Sequence, residues 1–380
     1  MSERRKRIGI DASAMLVARK NGYEYYVQAL ILAMAALPAE AFENLDLIFY
    51  FHVGNPLADP TLLKDILPCL DRFKYRTYQP KRLFSVFLPL LAGLDRLDWL
   101  HLPVHTWGSK YPCHIGVTLH DVCGTHLAQY CGDTSLLQHE NVIKRQVKIA
   151  SGYIAVSENT RQDVMAFYGV PGEQIYVVHH GVDPFFFPST TDAERVKQKY
   201  ELDDYILNVN ALQVNKNHER LLLAYAKLRR ERQITAPLVL VGRGGIGVER
   251  IQEALENFEP TTAVRYLNYV PREDLRGLYS GATLVVNPSL CEGFGLPVLE
   301  AMACGAPVVL SATTSLPEVG GDAALYFDPL NIDAISEILW QGLSSPALRE
   351  DLRLRGQTRA AQFSWEQSAR ATLNVYRHWG

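Results

Sequence analysis

The stretch PSLCEGFGLPVLEAMACGAPVV, Pro288–Val309, decides the fold. It begins as the apolar run TLVVNP (Thr283–Pro288) ends and finishes inside another, PVVLS (Pro307–Ser311). Both runs read as strands. Pro297 suits the first position of a helix, because its missing N–H would be unpaired there. Gly305 suits the residue just past a helix end. The stretch is therefore strand, glycine-rich loop, helix over about Pro297–Cys304, strand.

The loop has its own chemistry. Gly293 and Gly295 let the backbone approach a ligand closely. The helix start that follows favours an anion. Glu292 lies on the loop and Glu300 lies one turn inside the helix, with seven residues between them. Two carboxylates bracketing an anion site suit a ligand with a sugar on each side of a phosphate group. A nucleotide-sugar has that layout. The plainer alternative is that Glu292 caps a loop and Glu300 is a solvated helix residue.

The same alternation extends outward. Strands are expected at Arg7–Asp11, Leu45–Val53, His114–His120 and Gly152–Ser157. Helices are expected at Tyr23–Ala36, around Glu140–Ala150 and from about Asn159, with Ser157 as N-cap. The pattern restarts with strands at Tyr205–Asn210, Pro237–Gly242 and Ala263–Val270, and a helix at His218–Arg230. Alternating strand and helix implies parallel sheets covered on both faces. Two runs imply two doubly wound domains, joined near His179–Arg195. A chain of 380 residues also exceeds one ordinary core. Ligands of such sheets bind beyond the carboxyl ends of strands. That rule selects His120 and Asp121, Ala211–Asn217, Gly242–Gly245 and Ser289–Gly295.

Composition excludes several classes. Hydrophobic content of 48% and charged content of 21% describe a soluble globular protein. A net charge of −3 argues against a nucleic-acid binder. MSERRKR is not followed by an apolar run, so no secretory signal is expected. Leu83–Leu94 is too short to span a bilayer and contains Pro89. The six cysteines form no C-x-x-C pair and no zinc spacing, so buried, reduced thiols and no metal are expected.

The Pro288–Ser311 stretch closely resembles the signature of retaining GT-B glycosyltransferases of family 4. VTLHD (Val117–Asp121), Ile154–Asp183, Tyr269–Ser289, Ser315–Pro329 and Phe363–Tyr376 resemble the family as well. The resemblance implies two Rossmann-like domains facing a central cleft. Residues 1–185 would bind acceptor, 186–362 would bind the nucleotide-sugar donor, and 363–380 would form a helix crossing back. The segment Gly181–Asp183 would be the hinge.

The resemblance also assigns residues. Glu292, Gly293, Phe294, Gly295 and Leu296 would contact the donor sugar and phosphate, and Glu300 the ribose. Tyr269 and Val270 would receive the base, and His120 would lie beside the donor sugar. His120 as a turn-shaping histidine, and Asp121 as a cap for the next helix, stay open as alternatives. Gly22, in NGYEYY, matches the N-terminal glycine loop; no G-x-G-x-x-G nicotinamide fingerprint is present. Lys216 matches the lysine that neutralises the diphosphate without a metal. The family's usual arginine is replaced by Ala211 and Asn215 at its two customary positions, leaving Arg243 or Arg220 to compensate.

The implied reaction is hexose transfer, mannose first, from GDP-mannose or a UDP-sugar to a hydroxyl of a glycan or lipid-linked acceptor in surface-polysaccharide assembly. No cofactor is implied. The alternative is a GT-B protein that binds nucleotide or glycan without transfer. A cytoplasmic protein follows, with Lys81–Leu97 as either a buried helix or a contact to the inner membrane face.

Overall fold

The computed structural model describes residues 4–379 except 19, 80–83, 105–109, 128–134, 246–247 and 259. The chain divides into two units. The first comprises Met1–Val122, Leu137–Gly181 and Ser364–Gly380, the second Cys123–Leu136 and Val182–Phe363.

The first sheet is built from β1 (Lys6–Asp11), β2 (Leu45–His52), β3 (Lys74–Tyr78), β4 (Trp99–Leu102), β5 (His114–Leu119), β6 (Gly152–Ala155) and β7 (Ile175–Val177). Its helices are α1 (Gly22–Ala36), α2 (Leu63–Ile66), α3 (Phe84–Leu94), α5 (Ser135–Ile149) and α6 (Glu158–Tyr168); α4 (Cys123–Leu127) groups with the second unit. All strands are parallel, in the order β3-β2-β1-β4-β5-β6-β7. Burial on both faces explains the apolar run Leu47–Phe51 of β2. α1 starts on a capping box: Asn21 accepts from the helix start while Glu24 accepts from the Asn21 N–H.

The second sheet runs β10-β9-β8-β11-β12-β13, again parallel. Its strands are β8 (Ile206–Val209), β9 (Leu238–Val241), β10 (Val264–Tyr266), β11 (Leu284–Asn287), β12 (Val308–Ser311) and β13 (Ala324–Phe327). The helices are α7 (Thr190–Lys199), α8 (His218–Arg232), α9 (Val248–Glu256), α10 (Arg272–Gly281), α11 (Leu296–Ala303), α12 (Leu316–Gly320), α13 (Ile332–Ser344) and α14 (Pro346–Ala360). Gly242, at the end of β9, has φ of +149°, and a Cβ there would meet the Asn210 carbonyl oxygen at 2.0 Å. Glycine is required where the loops after β8 and β9 pair through Leu212 and Gly244.

The last helix, α15 (Trp365–His378), belongs to the first unit. It completes that core: Ala369, Leu373, Val375, Tyr376 and Trp379 cluster with Ile8, Ile10 and Phe49. Gly116 and Gly152 make room for Trp379, since a Cβ on either would lie within 2.5 Å of the indole. Trp379 also stacks on Trp99. A buried polar chain adds direction to this docking. The two ring nitrogens of His101 meet Tyr376 Oη at 2.6 Å and Thr118 Oγ1 at 2.8 Å. Burial pushes the His101 pKa down to about 3, so the ring stays neutral.

Four strands escape the sequence reading: β3, β4, β7 and β13. β3 is an edge strand, KYRTY, exposed over its first four residues, so it lacks an apolar signal. The helix expected at Pro297 starts one residue earlier, because Gly295, at φ +108°, turns the chain and its carbonyl accepts the Val298 amide. The thiol expectation fails for one pair: Cys123 and Cys291, 168 residues apart, are bonded. Sequence spacing does not reveal a pairing made by tertiary structure. Cys69 is exposed rather than buried, Cys304 is buried, and Cys131 lies outside the described residues. α3 is half-packed: Leu88 and Ala92 are buried, while Val86, Leu90 and Leu94 face outward. Lys81 and Arg82, read with this segment, lie outside the described residues.

Candidate active site

The loop after β11 is held by hydroxyls. Ser315 Oγ lies 3.0 Å from the carbonyl oxygens of both Glu292 and Phe294. The Glu292 N–H donates to Thr314 Oγ1 at 3.0 Å, and Ser311 Oγ donates to the Ser289 carbonyl. The loop after β8 meets it through the Leu290 N–H, which donates to the Asn215 carbonyl at 2.8 Å. These contacts bring two expected residues together. Lys216 Nζ lies 2.8 Å from Glu292 Oε1, and both side chains are mostly buried. Ser289 Oγ lies 2.8 Å from the same carboxylate oxygen and 2.7 Å from Asn287 Oδ1. Its single proton serves one acceptor at a time.

Gly293, Phe294 and Gly295 lead from this pair into α11. A side chain at Gly295 would be strained by its φ and would meet Leu316 at 2.9 Å. Phe294 is buried. Leu296 is the first helical residue, at the positive end of the helix dipole.

Glu300, one turn on, has different company. Tyr279 Oη donates to its Oε2 at 3.2 Å. Desolvation pushes its pKa up to about 7, against the lowering effects of the Tyr279 hydrogen bond and of Arg272; Asp183 adds to the rise. Arg272 is itself ion-paired with Asp183 and stacked on Phe185. The solvated-residue alternative therefore does not describe Glu300.

On the loops after β9 and β10, the Arg243 guanidinium lies 4.6 Å from the Tyr269 ring centroid. Tyr269 is exposed and Val270 is buried beside it. The pair presents a flat, cationic, solvent-facing surface. Arg220 donates to Asn217 Oδ1, which ties it to the start of α8. Asn215, which stands at one of the two customary positions of the family's arginine, directs its amide toward the Cys291 carbonyl at 3.4 Å.

In the first unit, His120 follows β5. Its Nε2–H donates to the Pro103 carbonyl at 2.7 Å, since a carbonyl oxygen can only accept. Tyr23, Tyr26 and His180 surround the ring, with centroids 4.9, 4.7 and 5.9 Å away. Asp121 accepts from Tyr23 Oη at 3.1 Å. Gly22 opens α1, and a Cβ there would meet nothing within 4 Å. Neither packing nor conformation within the fold demands glycine at this position.

Sequence reasoning named Lys216, Glu292 and Glu300 but gave no role to the residues that hold them. Ser289 was selected only by its place at a strand end, and Thr314 lies outside the stretches that resemble the family. Tyr279 and Ser315 lie in such stretches but carry no assigned role there. His180 likewise lay in a quoted stretch, and its packing on His120 is visible only in the fold.

Two parallel doubly wound units, each with polar residues at the carboxyl ends of its strands, define a Rossmann-like pair of the GT-B kind. Known proteins agree. The family described as Glycosyl transferases group 1 matches residues 159–359, and Glycosyltransferase Family 4 matches residues 20–185. O-antigen chain mannosyltransferase B of Escherichia coli is 36% identical over 68% of this chain and 69% of its own. Serotype-specific mannosyltransferase WbdA of Escherichia coli is 30% identical over 71% of this chain and 33% of its own. The structure of Anabaena HepE in complex with UDP-glucose superposes with a TM-score of 0.70 at 17% identity, over 98% of both chains. The chain belongs to the group 1 glycosyl transferases and is a hexosyltransferase. No helix among the described residues is long and apolar enough to cross a membrane.

Proposed function

We propose that the chain moves a hexose, mannose first, from a nucleotide-sugar to a hydroxyl of a glycan or lipid-linked acceptor in surface-polysaccharide assembly, with retention at the anomeric carbon. The observation that carries this reading is the buried Lys216–Glu292 pair directly before the α11 N-terminus. As the bond from the anomeric carbon to the β-phosphate oxygen breaks, charge grows on the phosphate. Lys216 and the helix dipole neutralise it. No metal is needed in this scheme. Glu292, released from Lys216, accepts hydroxyls of the donor sugar, and the backbone of Gly293–Leu296 lines it. Glu300 accepts the ribose hydroxyls. The base lies on Val270 and the Arg243–Tyr269 surface. His120 serves the donor sugar, and Gly22 leaves space for donor or acceptor. The acceptor hydroxyl attacks on the same face, and its proton passes to the departing phosphate.

The mannosyl donor is supported by the mannosyltransferase relatives, and the UDP alternative by HepE. A cytoplasmic site of action at the inner membrane face suits lipid-linked acceptors, with the outward row Val86, Leu90 and Leu94 of α3 as the contact. Calorimetric titration of GDP, UDP and ADP into wild type and Glu300→Ala tests the reading. One nucleotide should bind tightly and lose that affinity in the variant. Equal, weak binding of all three would overturn the donor assignment.

A further inference from the structure

We propose that Cys123 and Cys291 form a reversible oxidation site that controls the loop carrying Glu292. The proposal rests on the reading of that loop as donor-binding. Cys123 opens α4, and Cys291 stands between Leu290 and Glu292. Their Cα atoms are 5.6 Å apart, and both residues are buried, with Leu290 packed against them.

The placement matters because the bond ties the loop to a different element from its other anchors. Ser311, Thr313, Thr314 and Ser315 hold the backbone of Ser289, Leu290 and Glu292 from the β12 side, and the Cys291 carbonyl receives a 3.4 Å contact from Asn215, whereas the sulfur–sulfur bond reaches α4. One residue further, Glu292 occupies the ammonium group of Lys216. A diphosphate needs that ammonium group, so the carboxylate must withdraw when donor enters. A covalent bond from Cys291 to α4 restrains the neighbouring backbone and keeps the pair closed. Reduction releases that restraint, and the loop rearranges around the donor.

The chemistry is thiol–disulfide exchange. The two thiols each give up a proton and an electron as the sulfur–sulfur bond forms. A small disulfide oxidant such as glutathione disulfide takes both electrons and protons and leaves as two thiols. A dithiol reverses the reaction. Because both sulfurs are buried, exchange proceeds through local opening of α4 or the loop and is slow.

The test uses the full chain, prepared with dithiothreitol or with glutathione disulfide. Peptide mapping reports the bond, and calorimetry with GDP and with UDP reports the loop. The oxidised chain should yield a Cys123–Cys291 cross-linked peptide. It should bind nucleotide about tenfold more weakly, within the range usual for coupled sites. Dithiothreitol should restore binding. Cys123→Ser and Cys123→Ala should bind like the reduced chain under both conditions. A cross-linked chain that binds as tightly as the reduced one overturns the control, and failure to form the peptide overturns the site. If neither form binds any nucleotide, the donor-loop reading fails and the control with it, while the map still decides whether the pair forms.

Discussion

Two carboxylates on one short stretch have opposite surroundings. Glu292 sits on a loop, salt-bridged to Lys216 and close to a serine hydroxyl. Glu300 sits in a helix, beside a buried tyrosine, with its pKa raised to about 7 by desolvation. The difference is what each environment supplies to a charge. The loop provides a cation, so Glu292 is held by a partner, Lys216. The helix provides burial and one hydroxyl, so Glu300 is poised between its neutral and ionised forms near neutral pH. One carboxylate is set by a neighbouring cation, the other by burial.

The largest expected effect breaks the first half of this contrast. Lys216→Ala should lower kcat by about 10²–10³, the scale for losing one charge-stabilising group. Near wild-type turnover in steady-state assays would remove Lys216 from the reaction. The second half is tested by pH. If, as proposed, an ionised Glu300 accepts ribose hydroxyls, nucleotide affinity should weaken roughly tenfold per pH unit below 7. Glu300→Gln should bind weakly at every pH, with that slope gone. Stability should show the reverse sign. The folded pKa lies above the ordinary carboxylate value, so between about 4.5 and 7 the folded state holds the extra proton. Wild type should therefore lose stability relative to Glu300→Gln as pH rises through that window, by urea denaturation.

Smaller changes sharpen the contrast. Gly295→Ala strains the hinge between the two carboxylates, both by its φ of +108° and by contact with Leu316. A cost of about 1–3 kcal/mol is expected from equilibrium unfolding. Tyr279→Phe removes only the hydroxyl that favours ionised Glu300. The midpoint of the affinity–pH profile should move upward, with a stability cost of about 1 kcal/mol. A midpoint that stays put would mean that Tyr279 does not control the charge of Glu300.

Much of the frame was legible because local rules and tertiary structure agree. The N-cap at Ser157, the αL glycine at 305 and the buried apolar strands each carry their own signal. The signature stretch was legible for the same reason, since Gly295 and Pro297 mark a turn into a helix. What was illegible is long-range. Lys216 and Glu292 were each assigned to a ligand, and nothing in sequence shows that they satisfy one another across two loops. The Cys123–Cys291 bond is of the same kind. β3 hid for another reason: an edge strand half in water has no need of an apolar pattern.

The docking of α15 sets the order in which the protein can be completed during synthesis. The first unit lacks Tyr376 and Trp379 until Val182–Phe363 has been made, a delay of roughly 10–40 s at about 5–20 residues per second. Throughout that interval the indole slot beside Gly116 and Gly152 stands empty on the nascent chain. The second unit can close first, although its sequence comes later. The newborn chain therefore offers a chaperone a first unit that still lacks the helix closing its core.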